Sequence, residues 1–251
     1  MKISRRYFLG AAAGSAATLW SFRTSGFDTS GFLPERDLDC ALLDINAHCI
    51  LRESLQGYQA ALGDKPTHFL EAGLNSKRRC RIAIVPGLGS VDAAIADTLW
   101  GLLEAGTHVL LESGAGFLSP AEFTTHQKML HRYFNIEVSS PVDLWPGEPA
   151  DDALLSRRPA PRPRKGKLDR LEFVPYVNYS WPHETNVRDF SRAIPVSMRE
   201  GDVIGKAGAL PVALKRHTVG GMLIFLGSPL GPALLAGDPQ ARSWLRSVTA
   251  L

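Results

Sequence analysis

Residues 84–117 read IVPGLGSVDAAIADTLWGLLEAGTHVLLESGAGF. Ile84 and Val85 close a strand-like run, RIAIV at Arg81–Val85, and Pro86-Gly87-Leu88-Gly89 breaks it. Val91, Ala94, Ile95, Leu99, Leu102 and Leu103 then fall on one face of a helix, with Ser90 placed to cap it and Gly106 to stop it. A second apolar run, Thr107–Leu111, follows at once and ends in Glu112-Ser113 and the glycine turn Gly114-Ala115-Gly116. Strand, helix, strand with short connections is a βαβ unit, which implies a parallel sheet.

Working outward, the same alternation continues. CALLDI at Cys40–Ile45 reads as a strand, and Leu51, Leu55, Tyr58 and Leu62 form a helical stripe closed by Gly63. After the glycine turn, Ser119-Pro120-Ala121-Glu122 is a capping box with proline at the first helical position. Phe123, Gln127, Leu130 and Phe134 continue that helix, and 136–142 reads as a fourth strand. Residues 171–179 read as extended, and Pro211–Leu214 and Met222–Leu226 flank KRHTVGG as the arms of a β-hairpin. Asp238 and Pro239 open a last helix carrying Ala241, Leu245 and Val248 on one face. The expectation is an α/β fold, early half parallel and later half richer in antiparallel strand.

Composition fits that reading. With 45% hydrophobic and 21% charged residues among 251, the chain has ordinary globular content, and a net charge of +3 does not point to nucleic acid. Two local features carry much of the basic excess. Residues 146–167, PGEPADDALLSRRPAPRPRKGK, lose periodicity and read as a Pro/Arg-rich surface excursion. The other is the N-terminus, where MKISRR precedes the uncharged run YFLGAAAGSAATLWSF. This order is that of an export signal, and Ser4-Arg5-Arg6-Tyr7-Phe8-Leu9 resembles the twin-arginine consensus. The domain reading is therefore a signal segment at 1–22, a linker at 23–37 and an α/β domain at 38–251. It implies the twin-arginine export machinery as a partner and a periplasmic or other extracytoplasmic location. An uncleaved signal would make residues 7–22 a membrane contact, although the run is short for a span of about 20 residues.

Cys40, Cys49 and Cys80 are odd in number and show neither C-x-x-C nor zinc spacing, so they read as small buried hydrophobes. His126 and His131 are five apart and do not converge on a metal, and Pro86–Ser90 matches no dinucleotide or phosphate loop. No cofactor is expected.

Residues 84–117, together with PVALKRHTVGGMLIFLGSPLG at 211–231, resemble the class I glutamine amidotransferase-like superfamily. The likeness is closer to members without amidotransferase activity, such as the trimerisation domain of certain β-galactosidases. It implies a flavodoxin-like parallel-sheet sandwich with helices on both faces and an antiparallel C-terminal hairpin. Active amidotransferases carry Gly-x-Cys-x-Gly at the turn after this strand. Here the cysteine slot falls on Glu112 or Gly114, so the resemblance implies a domain without the nucleophilic thiol.

The residues themselves offer three candidates for chemistry. Ser113 is the hydroxyl of the turn, and Glu112 stands at the carboxyl end of a strand, where open α/β sheets bind ligands. His183 follows both in chain order and suits a general base. The segment YVNYSWPHETNVRD at 176–189 sets aromatic rings beside polar groups, as carbohydrate or peptide sites do. Tyr179, Trp181, Glu184, Arg188 and Asp189 are its binding candidates, with Ser228 from the strand-exit loop at 227–232. Two functions follow as expectations. One is a non-catalytic domain binding a small molecule or glycan, or assembling as an oligomer, in the cell envelope. The other is a hydrolase or amidase using Glu112 or Ser113 with His183.

Overall fold

The structure is a computed structural model that describes residues 38–44, 52–63, 67–69, 80–113, 117, 119–144, 176–189, 192–197 and 201–251. The signal segment, the linker, the excursion at 146–167, Cys49 and the glycines of the turn at 114–116 lie outside the described residues.

The strands are β1 (Leu38–Asp44), β2 (Thr67–Phe69), β3 (Cys80–Leu88), β4 (His108–Ser113), β5 (Val142–Asp143), β6 (Tyr176–Tyr179), β7 (Thr185–Arg188), β8 (Arg192–Ala193), β9 (Asp202–Ala207), β10 (Leu210–His217) and β11 (Met222–Leu226). Nine of them form one sheet in the order β2-β1-β3-β4-β11-β10-β9-β6-β7. The first five in that order run parallel. From β11 onward every pairing is antiparallel. The architecture is a mixed α/β sheet with helices, and β10 and β11 pair antiparallel through residues 218–221.

The parallel strands are buried on both faces, and this is why they read as near-continuous apolar runs rather than alternating ones. On one face Ala83, Val85, Val109, Leu111 and Phe225 pack under α2 (Ala93–Glu104), α3 (Pro120–Met129) and a π-helical turn at Leu130–Phe134. On the other, Cys40, Leu42, Ile84, Leu110 and Ile224 pack under α1 (Arg52–Leu62), α4 (Gly231–Leu235) and α5 (Pro239–Thr249). Tyr58, Leu234 and Trp244 supply the helix side of that core.

Most boundaries follow local chemistry. Ser119 caps α3 through the Glu122 N–H, Asp238 caps α5 through the Gln240 and Ala241 N–H groups, and Gly63 leaves α1 at φ +64°. Two expectations are corrected. Asp92, not Ser90, caps α2, its carboxylate accepting from the Ile95 N–H at 2.8 Å. The run at 136–142 adds no strand to the large sheet. Val138 makes a single bridge to Val196, and β5 pairs only with β8. Ile136 and Val138 are buried against the α2/α3 core, while Ser139 donates to the Pro195 carbonyl instead of a sheet ladder.

Candidate functional site

Side chains alternate across a strand, and the last residues of β4 show the consequence. Leu110 belongs to the core under α1 and Leu111 to the core under α3. Glu112 therefore points to the α1/α4 side and Ser113 to the α3 side. The two alternative candidates, Glu112 and Ser113, thus lie on opposite faces of the sheet.

On the α3 side, the Ser113 hydroxyl meets His126 Nε2 at 2.6 Å. His126 Nδ1 lies 2.5 Å from the Gly89 carbonyl oxygen. A carbonyl only accepts, so Nδ1 carries the proton, Nε2 is the free lone pair, and Ser113 donates to it. Both side chains are buried, and the Phe117 ring packs 4.8 Å from the imidazole. Burial pulls the His126 pKa down to about 4, partly offset by the bond to Gly89. The imidazole is neutral at pH 7. The result is a serine–histidine pair oriented by a main-chain carbonyl, the geometry of a hydroxyl beside its base.

On the other side, the Glu112 carboxylate is fully buried, and Oε2 accepts from the Leu230 and Gly231 N–H groups at 3.0 Å each. Burial raises its pKa; the Ser54 and Tyr58 hydroxyls and the two N–H groups oppose that rise. The Ser54 and Tyr58 hydroxyls are buried beside this carboxylate. Burial, followed by the Glu112 charge, pushes the Tyr58 phenol well up. Close packing seals this pocket. A Cβ on Gly57 of α1 would stand 1.9 Å from the Gly231 carbonyl oxygen, and one on Gly231 would stand 2.2 Å from Ser54 Cα.

His183 is half-buried in the connection between β6 and β7, after the cis Trp181-Pro182 bond. β6 stands four places from β4 along the sheet. The base beside Ser113 is His126, which sequence reasoning weighed only as a metal ligand. Its signal was the helical spacing to Phe123 and Leu130, which puts all three on the buried face of the helix.

Among the binding candidates, Asp189 and Ser228 come together, with the buried Ser228 hydroxyl donating to Asp189 Oδ2 at 2.6 Å. Tyr179 is buried with its ring 4.7 Å from Trp244, and burial, then Asp189 and Glu112, push its phenol up. The Trp181 carbonyl accepts from Trp244 Nε1 at 2.8 Å, and Lys215 Nζ stands 5.3 Å from the Trp181 ring centre. Glu184 and Arg188 are exposed. Glu184 lines a concavity of about 400 Å³ together with Asn178, Ser180, Asn186 and Lys206.

Cys40 and Cys80 are buried, and burial raises the Cys80 pKa. Among the described residues no group of three or more His, Cys, Asp or Glu is placed to hold a metal, and no helix is long and apolar enough to cross a membrane.

Fold and site together define a mixed α/β domain whose strand-exit groups are engaged internally. No family model and no curated protein matches the chain. Solved structures share its fold. One is a GH42 β-galactosidase, Gan42B from G. stearothermophilus, at TM-score 0.51 and 15% identity, covering 86% of this chain and 30% of that one. An exo-β-1,4-mannosidase from Opitutaceae bacterium strain TAV5 matches at TM-score 0.51 and 11% identity, covering 84% and 35%. The N-terminal domain of mmIFT52 matches at TM-score 0.52 and 15% identity, covering 84% and 95%. The chain thus spans about a third of the glycosidase chains and nearly all of the mmIFT52 domain. At these identities the likeness is one of fold, to domains within glycoside hydrolases.

Proposed function

We propose that the chain is an exported, flavodoxin-like domain of the amidotransferase-like type, without a nucleophilic thiol, that binds or assembles in the cell envelope. The observation that carries the reading is the fate of the strand exit. Glu112 and Ser113, the polar side chains that end β4, are both fully buried and already engaged by Leu230, Gly231 and His126. A carboxylate held by two main-chain N–H groups ties a loop and is not free to act on a substrate. Export rests on Ser4–Leu9 and the apolar run behind it. The fold's occurrence as a minor part of glycosidase chains agrees with an accessory role.

The test is an assay of the purified protein against ester, peptide and glycoside substrates. No turnover is expected, and reproducible turnover abolished by Ser113→Ala or Glu112→Gln overturns the reading. Export is tested by replacing Arg5 and Arg6 with lysine. The wild type should reach the periplasm and the double variant should stay inside.

A second reading is favoured by one contact, the 2.6 Å bond from Ser113 to His126. In a hydrolase or amidase acting on an acylated envelope glycan or a peptide, Ser113 Oγ would attack the acyl carbon while its proton passed to His126 Nε2; the acyl C–O or C–N bond would then break as His126 returned the proton to the departing alcohol or amine, and water would cleave the acyl-serine. Covalent labelling of Ser113 by a fluorophosphonate, lost in Ser113→Ala, would select this reading over the first.

A further inference from the structure

The antiparallel end of the sheet differs from the rest. β6, β7 and β9 bury one face through Val177, Tyr179, Val187 and Ile204. Their other face carries Tyr176, Asn178, Asn186, Arg188 and Lys206, all exposed, with Arg188 directly opposite Tyr176. Asn186 stands directly opposite Asn178, and Asn178 directly opposite Lys206. Two amides and an ammonium thus form a row across three strands, spaced about 5 Å apart. Glu184 lies two residues from Asn186 along the same chain, and these groups line the concavity of about 400 Å³. None of the Asn178, Glu184, Asn186 and Lys206 side chains has a hydrogen-bond or ion-pair partner among the described residues.

We infer that this row is a binding site for a neutral saccharide chain, an inference that rests on the binding role proposed above. An amide offers donor and acceptor together, which matches a hydroxyl pair on a sugar ring. Lys206 and Glu184, the charged groups lining the hollow, are of opposite sign, so it favours a polyhydroxylated neutral ligand over an anion, and Arg188, directly opposite Tyr176, adds a donor beside the ring. Tyr176 lies two residues from Asn178 on the same strand face and is 44% exposed, a flat apolar surface for the C–H face of a ring.

The test is titration of the ¹⁵N-labelled protein with chitotetraose, cellotetraose and maltotetraose, with trialanine as a zwitterionic comparison. Saturable shifts confined to residues 176–188 and 203–208 are expected with at least one saccharide. Asn178→Ala and Asn186→Ala should each weaken binding at least about 10-fold, as expected when a hydrogen-bonded amide is lost, with the melting temperature unchanged. No shifts with any saccharide, shifts unaffected by both variants, or tighter binding of trialanine each overturn the site. The same titration with Ser113→Ala separates the two proposals. Saccharide binding that persists alongside Ser113-dependent turnover removes the non-catalytic reading and leaves the site, whereas loss of the site without turnover leaves that reading standing.

Discussion

The Ser113 hydroxyl donates to His126 Nε2 at 2.6 Å, and the opposite ring nitrogen donates to the Gly89 carbonyl. One imidazole thereby ties the exit of β4 to α3 and to the loop after β3. His126→Ala opens a cavity and strands two buried polar groups, so a loss of about 3 kcal/mol is expected. Ser113→Ala removes one partner and should cost about 1–2 kcal/mol. Urea denaturation at pH 7.5 measures both.

The same imidazole sets an acid response. Its folded pKa of about 4 lies below the ordinary 6.5, so the unfolded chain binds the proton first as pH falls. The stabilisation is fully present above pH 6.5 and is lost between there and about pH 4, a fall of up to about 3 kcal/mol. The difference in stability between wild type and His126→Gln should shrink across that window. A difference independent of pH would refute the assigned tautomer and burial.

Glu112 has the opposite sign. Its folded pKa is raised by burial, so its contribution is present below the ordinary value of 4.5 and declines as pH rises through the folded value. Glu112→Gln keeps an oxygen for the Leu230 and Gly231 N–H groups without the buried charge. It should match or exceed wild-type stability at pH 7, whereas Glu112→Ala should lose about 2–4 kcal/mol. Melting curves of the three proteins at pH 4.5 and pH 7 decide this.

Gly57 and Gly231 let α1 and α4 meet main chain to main chain. An added Cβ on either would overlap a backbone atom at 1.9 Å or 2.2 Å, which no rotamer relieves. Gly57→Ala and Gly231→Ala should each cost more than about 3 kcal/mol, at the upper end for overpacking. Gly101→Ala, where no atom lies within 4 Å, should be neutral or slightly stabilising in its helix. Soluble yield and melting temperature distinguish the three.

The pattern of apolar runs and caps was enough to place β1, β3, β4, β11 and the helices between them. Gly63, Ser119 and Asp238 act where their local chemistry puts them, because caps and left-handed stops depend on only a few neighbouring residues. The 136–142 run misled because burial alone does not make a sheet strand. It needs a free edge, and both sides of β4 are already taken by β3 and β11.

The site was less legible. The sequence by itself determined that a strand ends in Glu112-Ser113, with no thiol at that turn and a helix capped at Ser119 behind it. Tertiary structure alone decided the partners. Alternation across β4 sends the two neighbours to opposite faces, and packing from far along the chain brings His126 to one and Gly231 to the other. Glu112 and Gly231 are 119 positions apart and the sequence carries no local signal of that contact, since such pairings are set by how helices stack on a sheet and not by the residues beside them.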